Sequence, residues 1–509
     1  MNIISLLVLI SFILFLILSY FLSKRTKNLD DFFVAGRNAN TLFLTGTVFA
    51  SMLSTNGFMG DCAWVYDGHF ISLIVINTMC ACGYILGSLF FGRYLRASKV
   101  KTLPEFFYLV FQEHKFAKYL RMCSAFVVCF SMFAYLISVM QGVSILLESL
   151  TDFSKTTSLI AGFVIILAFV SLSGSNGAII SDTLMCIMFL SVTIIAAFYI
   201  FNTIENPFIA MKQLAITKPE TLKAPNELSY VLTMGIIWCI TIAISPWQAG
   251  RNLMAKNEHV IFRTSVLSAI LTVYFLGILY LLVIVIKYSG IVIDTSEKVV
   301  IISALEQMPP ILGAMLITGI VQAGISSAMT FLAVIGFSFS EDIIGQISKK
   351  EKTDKQKLIL CRIIILSVCI LCFIINTFEL ASIRIIAWFA STIIAASWIV
   401  SVIGILYIKN YGIKSALASQ ISGFLTYVII RFLNELNLIT YEAFFCSILS
   451  SLIFGIMFLE KNSNKNLNFM SIKLEKTEYK KTKLYALLLI FSGILLSSLL
   501  LKYYSSLFN

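Results

Sequence analysis

The chain has 509 residues, of which 59% are hydrophobic and only 13% charged. So little charge over this length excludes a soluble globular protein and implies a polytopic membrane protein. The formal net charge is +12, with 38 Lys and Arg. Most of these fall in alternate loops, 23–40, 93–121, 250–263, 349–362, 409–414 and 461–483, which the positive-inside rule makes cytoplasmic. The surplus is therefore topological and gives no reason to expect nucleic acid binding.

Apolar runs of about 20 residues recur along the chain, the length a ~30 Å hydrocarbon core requires. They predict an all-α protein, since a membrane barrel would show ~10-residue alternating segments instead. Segment 1 is 2–22, which has no basic n-region and no small-residue cleavage site before Lys24, Arg25 and Lys27. It reads as a first spanning helix rather than a signal peptide, with its N-terminus outside. Segment 2 is 41–67. Its centre, Ser51 to Gly57, is rich in small polar residues and poor in helix formers. That composition predicts a broken membrane helix, because unpaired backbone at that depth is tolerated only where it lines a cavity. A continuous helix with a small-residue packing face is the alternative.

Segment 3 (70–92) runs into a basic stretch and a short interfacial helix. Segment 4 (118–148) carries Gln141 in an otherwise apolar run. Segments 5 (157–173) and 6 (179–202) flank GSNGAIISD, which sets Asp182 just inside segment 6. A carboxylate there complements the helix dipole or faces a membrane cavity. After the external loop 203–228, segment 7 (229–249) holds Trp238, Pro246 and Trp247. Its proline frees a backbone carbonyl, which makes it the second candidate for a broken helix. Segments 8 (264–287), 10 (359–377), 11 (381–407), 12 (413–432), 13 (442–459) and 14 (484–503) follow the same apolar pattern around segment 9 (309–342). Fourteen spans place both termini outside.

Segment 9 carries Ser326, Ser327 and Thr330 at its middle. Hydroxyls at this depth commonly bond back to a carbonyl one turn earlier, here Ala323 for Ser327. The alternative is that Ala323 O and the Ser326 and Ser327 hydroxyls face a small cation together. Segments 2 and 7, the two interrupted ones, each open a group of five spans. Five is odd, so the second group lies inverted relative to the first, and paired interrupted helices in two halves point to a transporter site.

Eleven cysteines lie almost entirely in apolar segments. Cys369 and Cys372 form a CxxC, but no His or second CxxC lies nearby, so they read as buried small hydrophobes. His69, His114 and His259 are scattered, and no nucleophile–base constellation stands out. The chain is not expected to be an enzyme or to hold an organic cofactor.

Four local patterns carry a resemblance to the sodium/solute symporter family over roughly 25–410. DDFFVAGR at 30–37 looks like that family's cytoplasmic lead into its first core helix. GAIISDTLM at 177–185 is similar to its GG-x-A-x-x-x-(T/S)-D-x-x-Q segment, with Asp182 on the acidic position and Met185 replacing Gln. QAGRNLMAKN at 248–257 resembles its QR-x-(L/M)-A-(A/K) signature, with Arg251 retained and Gly250 where Gln is usual. AGISSAMT at 323–330 resembles its A-x-x-S-(T/S)-x-(D/S)-S stretch.

The resemblance implies a LeuT-type fold of two inverted five-helix repeats, at 25–203 and 229–410. An extra helix at 1–24 would precede them, and 411–509 would add C-terminal helices around the basic loop 461–483. It implies a sodium site made by the backbone oxygens of Ala50, Leu53 and Ala323 with the Ser326 and Ser327 hydroxyls. Five oxygens without net charge suit a hard cation that must also leave. Asp182 and Thr330 fall where some members hold a further sodium, although Met329 lacks the oxygen expected beside them.

The solute is expected between segments 2, 4 and 7, near Ser54, Thr55, Asn56, Gln141, Trp238, Pro246 and Trp247. Met52 stands where proline carriers have an acidic residue, and segment 4 lacks the arginine of sialic acid carriers, so the solute stays open. The function implied is sodium-coupled import of a small organic solute, an amino acid, carboxylate or similar, by alternating access. A proton-coupled carrier working through Asp182 and a transporter-like sensor are the alternatives. The expected setting is the plasma (inner) membrane. The expected partners are the solute and the lipid bilayer, with no nucleic acid and no obligate protein partner.

Overall fold

The computed structural model describes residues 34–470, apart from 152, 173–174, 205–206, 218–227, 291–292, 349–352, 379–380, 434–439 and 462, with scattered positions beyond that range. Expected segments 1 and 14, residues 30–33, part of the external loop and the 471–479 stretch therefore lie outside the described residues. Among the described residues nine helices are long and apolar enough to span a membrane, and a bent pair makes a tenth. Two shorter apolar helices, 155–168 and 442–457, account for the remaining segments.

The bent pair is segment 2. Helix α1 (Thr41–Met52) starts where the Asn40 side chain accepts the Phe43 N–H at 3.1 Å. Leu53 and Ser54 leave the helical path, and Leu53 is extended at φ −80°, ψ 116°. The chain resumes as a π-helical turn over Asn56–Gly60 and then α2 (Asp61–Tyr66), bent by 54° from α1. Both halves are held by one aromatic cluster. Phe49 on α1 and Phe58 after the break each sit 5.5–6.3 Å from Phe189 and Phe275. Such pairs add about 0.5–1.5 kcal/mol each beyond area burial. The broken backbone is thus clamped, not loose.

Helix α3 extends from Phe70 to Ala97, through a π-helical turn at Ser88–Gly92, and α4 (Leu103–Val110) is the short helix after it. Thr102 caps α4 by accepting the Glu105 N–H at 3.0 Å. Next come α5 (Ala117–Leu150), α6 (Lys155–Leu172), α7 (Ser175–Thr203) and α8 (Pro207–Thr217). Helix α9 (Leu228–Ile244) ends before Pro246, turns, and continues as a 3-10 segment, Ala249–Met254. The interruption expected in segment 7 therefore falls at the end of the helix, not at its middle. It bends the span too little to make it a second bent pair.

The rest of the bundle is α10 (Glu258–Tyr288), α11 (Val299–Glu306), α12 (Pro310–Phe337), α13 (Asp354–Asn376), α14 (Ile383–Tyr407), α15 (Ile413–Phe432) and α16 (Thr440–Met457). Helix α1 packs on α7, α10 and α12, while α5 packs on α12 and α14. Two backbone bonds, Ala39 N to Met254 O at 3.0 Å and Lys256 N to Ala39 O at 2.9 Å, tie the start of α1 to the end of the 3-10 segment. They bring the sequence after α9 under α1, and Arg251 with it.

Candidate functional site

The break in α1–α2 faces the middle of α12, and the two meet through Ser327, whose hydroxyl donates to Leu53 O at 3.4 Å. Ala50, Leu53, Ala323, Ser326 and Ser327 are all buried. Ser326 turns to a different partner and donates to Asp182 Oδ1 at 2.7 Å. A hydroxyl that donates to a carboxylate keeps lone pairs for a cation.

Asp182 is fully buried on α7 and is bonded from three sides. Thr47 of α1 donates to its Oδ2 at 2.6 Å, Ser326 to its Oδ1, and Arg251 Nη2 lies 3.6 Å from Oδ2. The approach of α1 to α7 depends on Gly46, where a Cβ would lie 2.7 Å from the Thr183 Cα. Arg251 also donates to Thr330 Oγ1 at 2.8 Å. The guanidinium therefore links Asp182 and Thr330, the two residues the family resemblance associates with a further ion. The sequence reading used Arg251 only as part of a signature. The signal for its role was available, since a buried arginine beside an apolar span needs a carboxylate.

The residues expected around the solute divide. Asn56 and Trp238 line a small cavity of about 20 Å³ together with Met52, Asp61, Tyr135 and Trp388. Ser54 folds back to its own turn and accepts the Asn56 N–H at 3.2 Å. Thr55 is buried against glycine instead: a Cβ at Gly142 would lie 2.5 Å from the Thr55 Cβ, and one at Gly324 3.0 Å from its Cγ2. Its carbons thereby pack at the junction of the break with α5 and α12, while its buried hydroxyl has no hydrogen-bond partner. Gln141 donates to Ala381 O at 3.1 Å and lines a separate cavity of about 400 Å³ with Glu148, Glu297 and Lys298. Pro246 sits in the turn after α9, and Trp247 meets the Tyr135 ring edge-on at 5.6 Å.

Two aromatic residues of the cavity wall, Trp388 and Tyr135, belong to larger aromatic groups. Toward the α2–α3 turn, Trp64 packs edge-on to Trp388 at 5.7 Å and stacks on His69 at 4.6 Å. The Arg384 guanidinium lies over both indoles, 4.2 Å from Trp64 and 4.9 Å from Trp388. Glu297 accepts the Ile383 N–H at 2.9 Å and so caps the helix that carries Arg384. Burial holds that carboxyl above its ordinary range, and the backbone bond opposes the shift. Tyr135 packs on Trp247 and, at 4.8 Å, on Phe331.

Asp61 is a buried carboxylate in the cavity wall that the sequence reading passed over. It lies on α2, 9% exposed, and accepts from Tyr280 Oη at 3.3 Å through Oδ2. Tyr280 in turn accepts from Asn77 Nδ2 at 3.0 Å. The signal was plain: an acidic side chain within an apolar span is a functional candidate by default.

Comparison with known proteins places this arrangement. A model of the sodium:solute symporter family matches residues 32–423, well over half of the chain. The sodium/proline symporter of Escherichia coli (strain K12) is 24% identical over 365 residues, covering 68% of this chain and 71% of that protein. The sodium/proline symporter of Salmonella typhimurium is 24% identical over 370 residues, covering 68% and 72%. Among solved structures, a Na+-coupled sialic acid symporter in a substrate-bound outward-open state superposes with a TM-score of 0.75 at 15% identity, covering 92% of this chain and 99% of that one. A nucleobase-cation-symport-1 family transporter in a closed conformation superposes with a TM-score of 0.50 at 10% identity, over 85% and 95%. The likeness to the solved structures is one of fold. With the family match over most of its helices, the chain is an integral membrane transporter that belongs to the sodium:solute symporter family.

Proposed function

We propose that this protein is a sodium-coupled symporter that imports a small organic solute by alternating access. The observation that carries the reading is the Ser327 contact with Leu53 O across the break, beside Ser326. It puts an unwound carbonyl and hydroxyls from two facing helices at one point, the donor chemistry a hard monovalent cation needs. In this reading Ala50, Leu53, Ala323, Ser326 and Ser327 hold sodium. The repeats 25–203 and 229–410 rock against each other, and the ion leaves as the middle of α12 parts from the break. The Arg251 bridge between Asp182 and Thr330 supplies the positive charge a further sodium would bring, which favours one coupled ion.

One ion is enough driving force. Crossing ~100 mV, inside negative, gives about 2.3 kcal/mol, and a tenfold sodium gradient adds about 1.4 kcal/mol. Together they support several-hundredfold accumulation of an uncharged solute. In this reading the protein sits in the plasma (inner) membrane, and the positive charge of alternate loops supports an α1 that starts from the cytoplasm. The names of the relatives, proline and sialic acid symporters, bracket the size of solute without choosing one.

The test is thermal unfolding of the detergent-purified chain in sodium against equimolar potassium, for wild type and Ser326→Ala/Ser327→Ala. A specific ion stabilises the folded state by mass action. Sodium-selective stabilisation that disappears in the double variant is the expected result. Equal effects of sodium and potassium in wild type would overturn the sodium site.

A further inference from the structure

The small cavity holds a carboxylate whose bonding is incomplete. Asp61 Oδ2 has Tyr280, but Asp61 Oδ1 is buried with no hydrogen-bond partner, and so is the side-chain oxygen of Asn56, five residues earlier in the same broken helix. Both residues line the cavity. Against these two unpartnered acceptors the same lining has one unpartnered buried donor, the Trp388 indole N–H, so the balance, and the charge of Asp61, call for a ligand that donates. Arg384 brings positive charge nearby, but its guanidinium lies on the Trp64 and Trp388 rings and leaves Oδ1 unbonded.

The other walls decide which donor fits. Tyr135, Trp238 and Trp388 supply aromatic surface around the carboxylate, alongside apolar Leu73, Ile76 and Leu276. A bare sodium ion needs five or six oxygens, and this lining does not offer them. A substituted ammonium needs a counter-charge, one or two acceptors and aromatic faces for its carbon-bound positive surface. At about 20 Å³, the space of one or two waters, the cavity has room for a compact N–H-bearing ammonium and not for a whole solute. We infer that Asp61 is the counter-ion and specificity residue for a positively charged amine on the transported solute. Asn56 accepts from the same head group, and Trp238 and Trp388 wall it. The inference rests on the symporter reading and sharpens it: the solute is an amine-bearing molecule, whether zwitterion or net cation, and not a sugar or a plain carboxylate.

The experiment uses the purified full chain saturated with sodium and reads the shift in Tm with four probes at equal concentration. Proline and ethanolamine carry a charged nitrogen with N–H donors; N-acetylproline and galactose do not. The expected result is a shift with at least one ammonium-bearing probe and with neither of the two that lack an ammonium. In Asp61→Asn that shift falls at least tenfold in apparent affinity, while the shift due to sodium itself stays at its wild-type size. Trp238→Leu provides a second variant should Asp61→Asn fold poorly, and it weakens an ammonium probe in the same way. Equal shifts from probes with and without an ammonium, an ammonium-probe shift that survives Asp61→Asn, or no shift from either ammonium probe overturns the assignment. Loss of the sodium shift in wild type would instead sink the symporter reading, so the two failures are separate.

Discussion

Asp61 and Asp182 are buried carboxylates in the same helix bundle, each within reach of the broken helix, and their surroundings are opposite. Asp182 has a hydroxyl on each oxygen and a guanidinium at 3.6 Å, contributed by α1, α12 and the segment after α9. Asp61 has one phenol on one oxygen and nothing on the other. A saturated charge is a fastening, because every bond to it is already made. An unsaturated one in a cavity is a receptor, because a partner must arrive to complete it. The difference fits the two proposed tasks: Asp182 fixes the geometry around the proposed sodium site, and Asp61 meets the solute.

The comparison breaks most easily at Asp182. Asp182→Ala strands the buried Arg251 guanidinium, and losing one partner of such a pair removes about 3–5 kcal/mol of stability. The check is the unfolding midpoint of the purified variant or, where it falls too far, the folded yield. Asp182→Asn combined with Arg251→Gln recovers much of the loss, because the two effects are coupled. A change below about 1 kcal/mol in Asp182→Ala would mean that the network holds nothing together.

A steric change at the junction between the two groups comes next. Gly142→Ala drives a methyl to 2.5 Å from Thr55 Cβ, and overpacking of this kind removes about 1–3 kcal/mol. The same substitution pushes on the break itself, so sodium affinity falls with it, as a titration of Tm against sodium reads out. Unchanged sodium response in a destabilised Gly142→Ala would separate Thr55 packing from the ion site.

The smallest effect is expected at Asp61. Asp61→Asn removes a charge that no hydrogen-bonded cation compensates, so stability changes by less than about 1 kcal/mol or rises. Unfolding of wild type and variant without solute measures it. A loss comparable to that of Asp182→Ala would make Asp61 a second fastening.

The sequence carried the helices well and the side-chain partnerships poorly. Segments 2 to 13 correspond to helices because hydropathy reports length in lipid directly, and the break at Ser51–Gly57 was visible as small polar residues where helix formers belong. Helix ends were less legible. Segment 3 was closed at residue 92, where charge begins, yet the helix runs to Ala97. Arg93 lies over the neighbouring Tyr94 ring and Arg96 bonds the carbonyls of Ala255 and Lys256. Charged residues with such partners continue a helix that hydropathy has already ended. Pro246 signalled an interruption but not its depth, since the turn falls at the end of α9.

At the site, hydroxyl spacing and family pattern drew attention to Ser326 and Ser327. Neither could show that Ser326 would turn to Asp182, or that the carbons of Thr55 would pack against Gly142 and Gly324. Those outcomes depend on which helices touch, and the partners lie far apart in the chain. Asp61 was missed for a different reason. Its signal was local, one acidic residue in an apolar run, and it matched no expected motif.

The most direct test of the division between the two carboxylates is a binding isotherm for radiolabelled sodium on the purified chain, without solute, in wild type, Asp61→Asn and Ser327→Ala. The account predicts that Asp61→Asn binds sodium within about twofold of wild type, while Ser327→Ala binds at least tenfold more weakly, about 1.4 kcal/mol. Sodium binding lost in Asp61→Asn and retained in Ser327→Ala would contradict it, and would move the ion to the cavity assigned here to the solute.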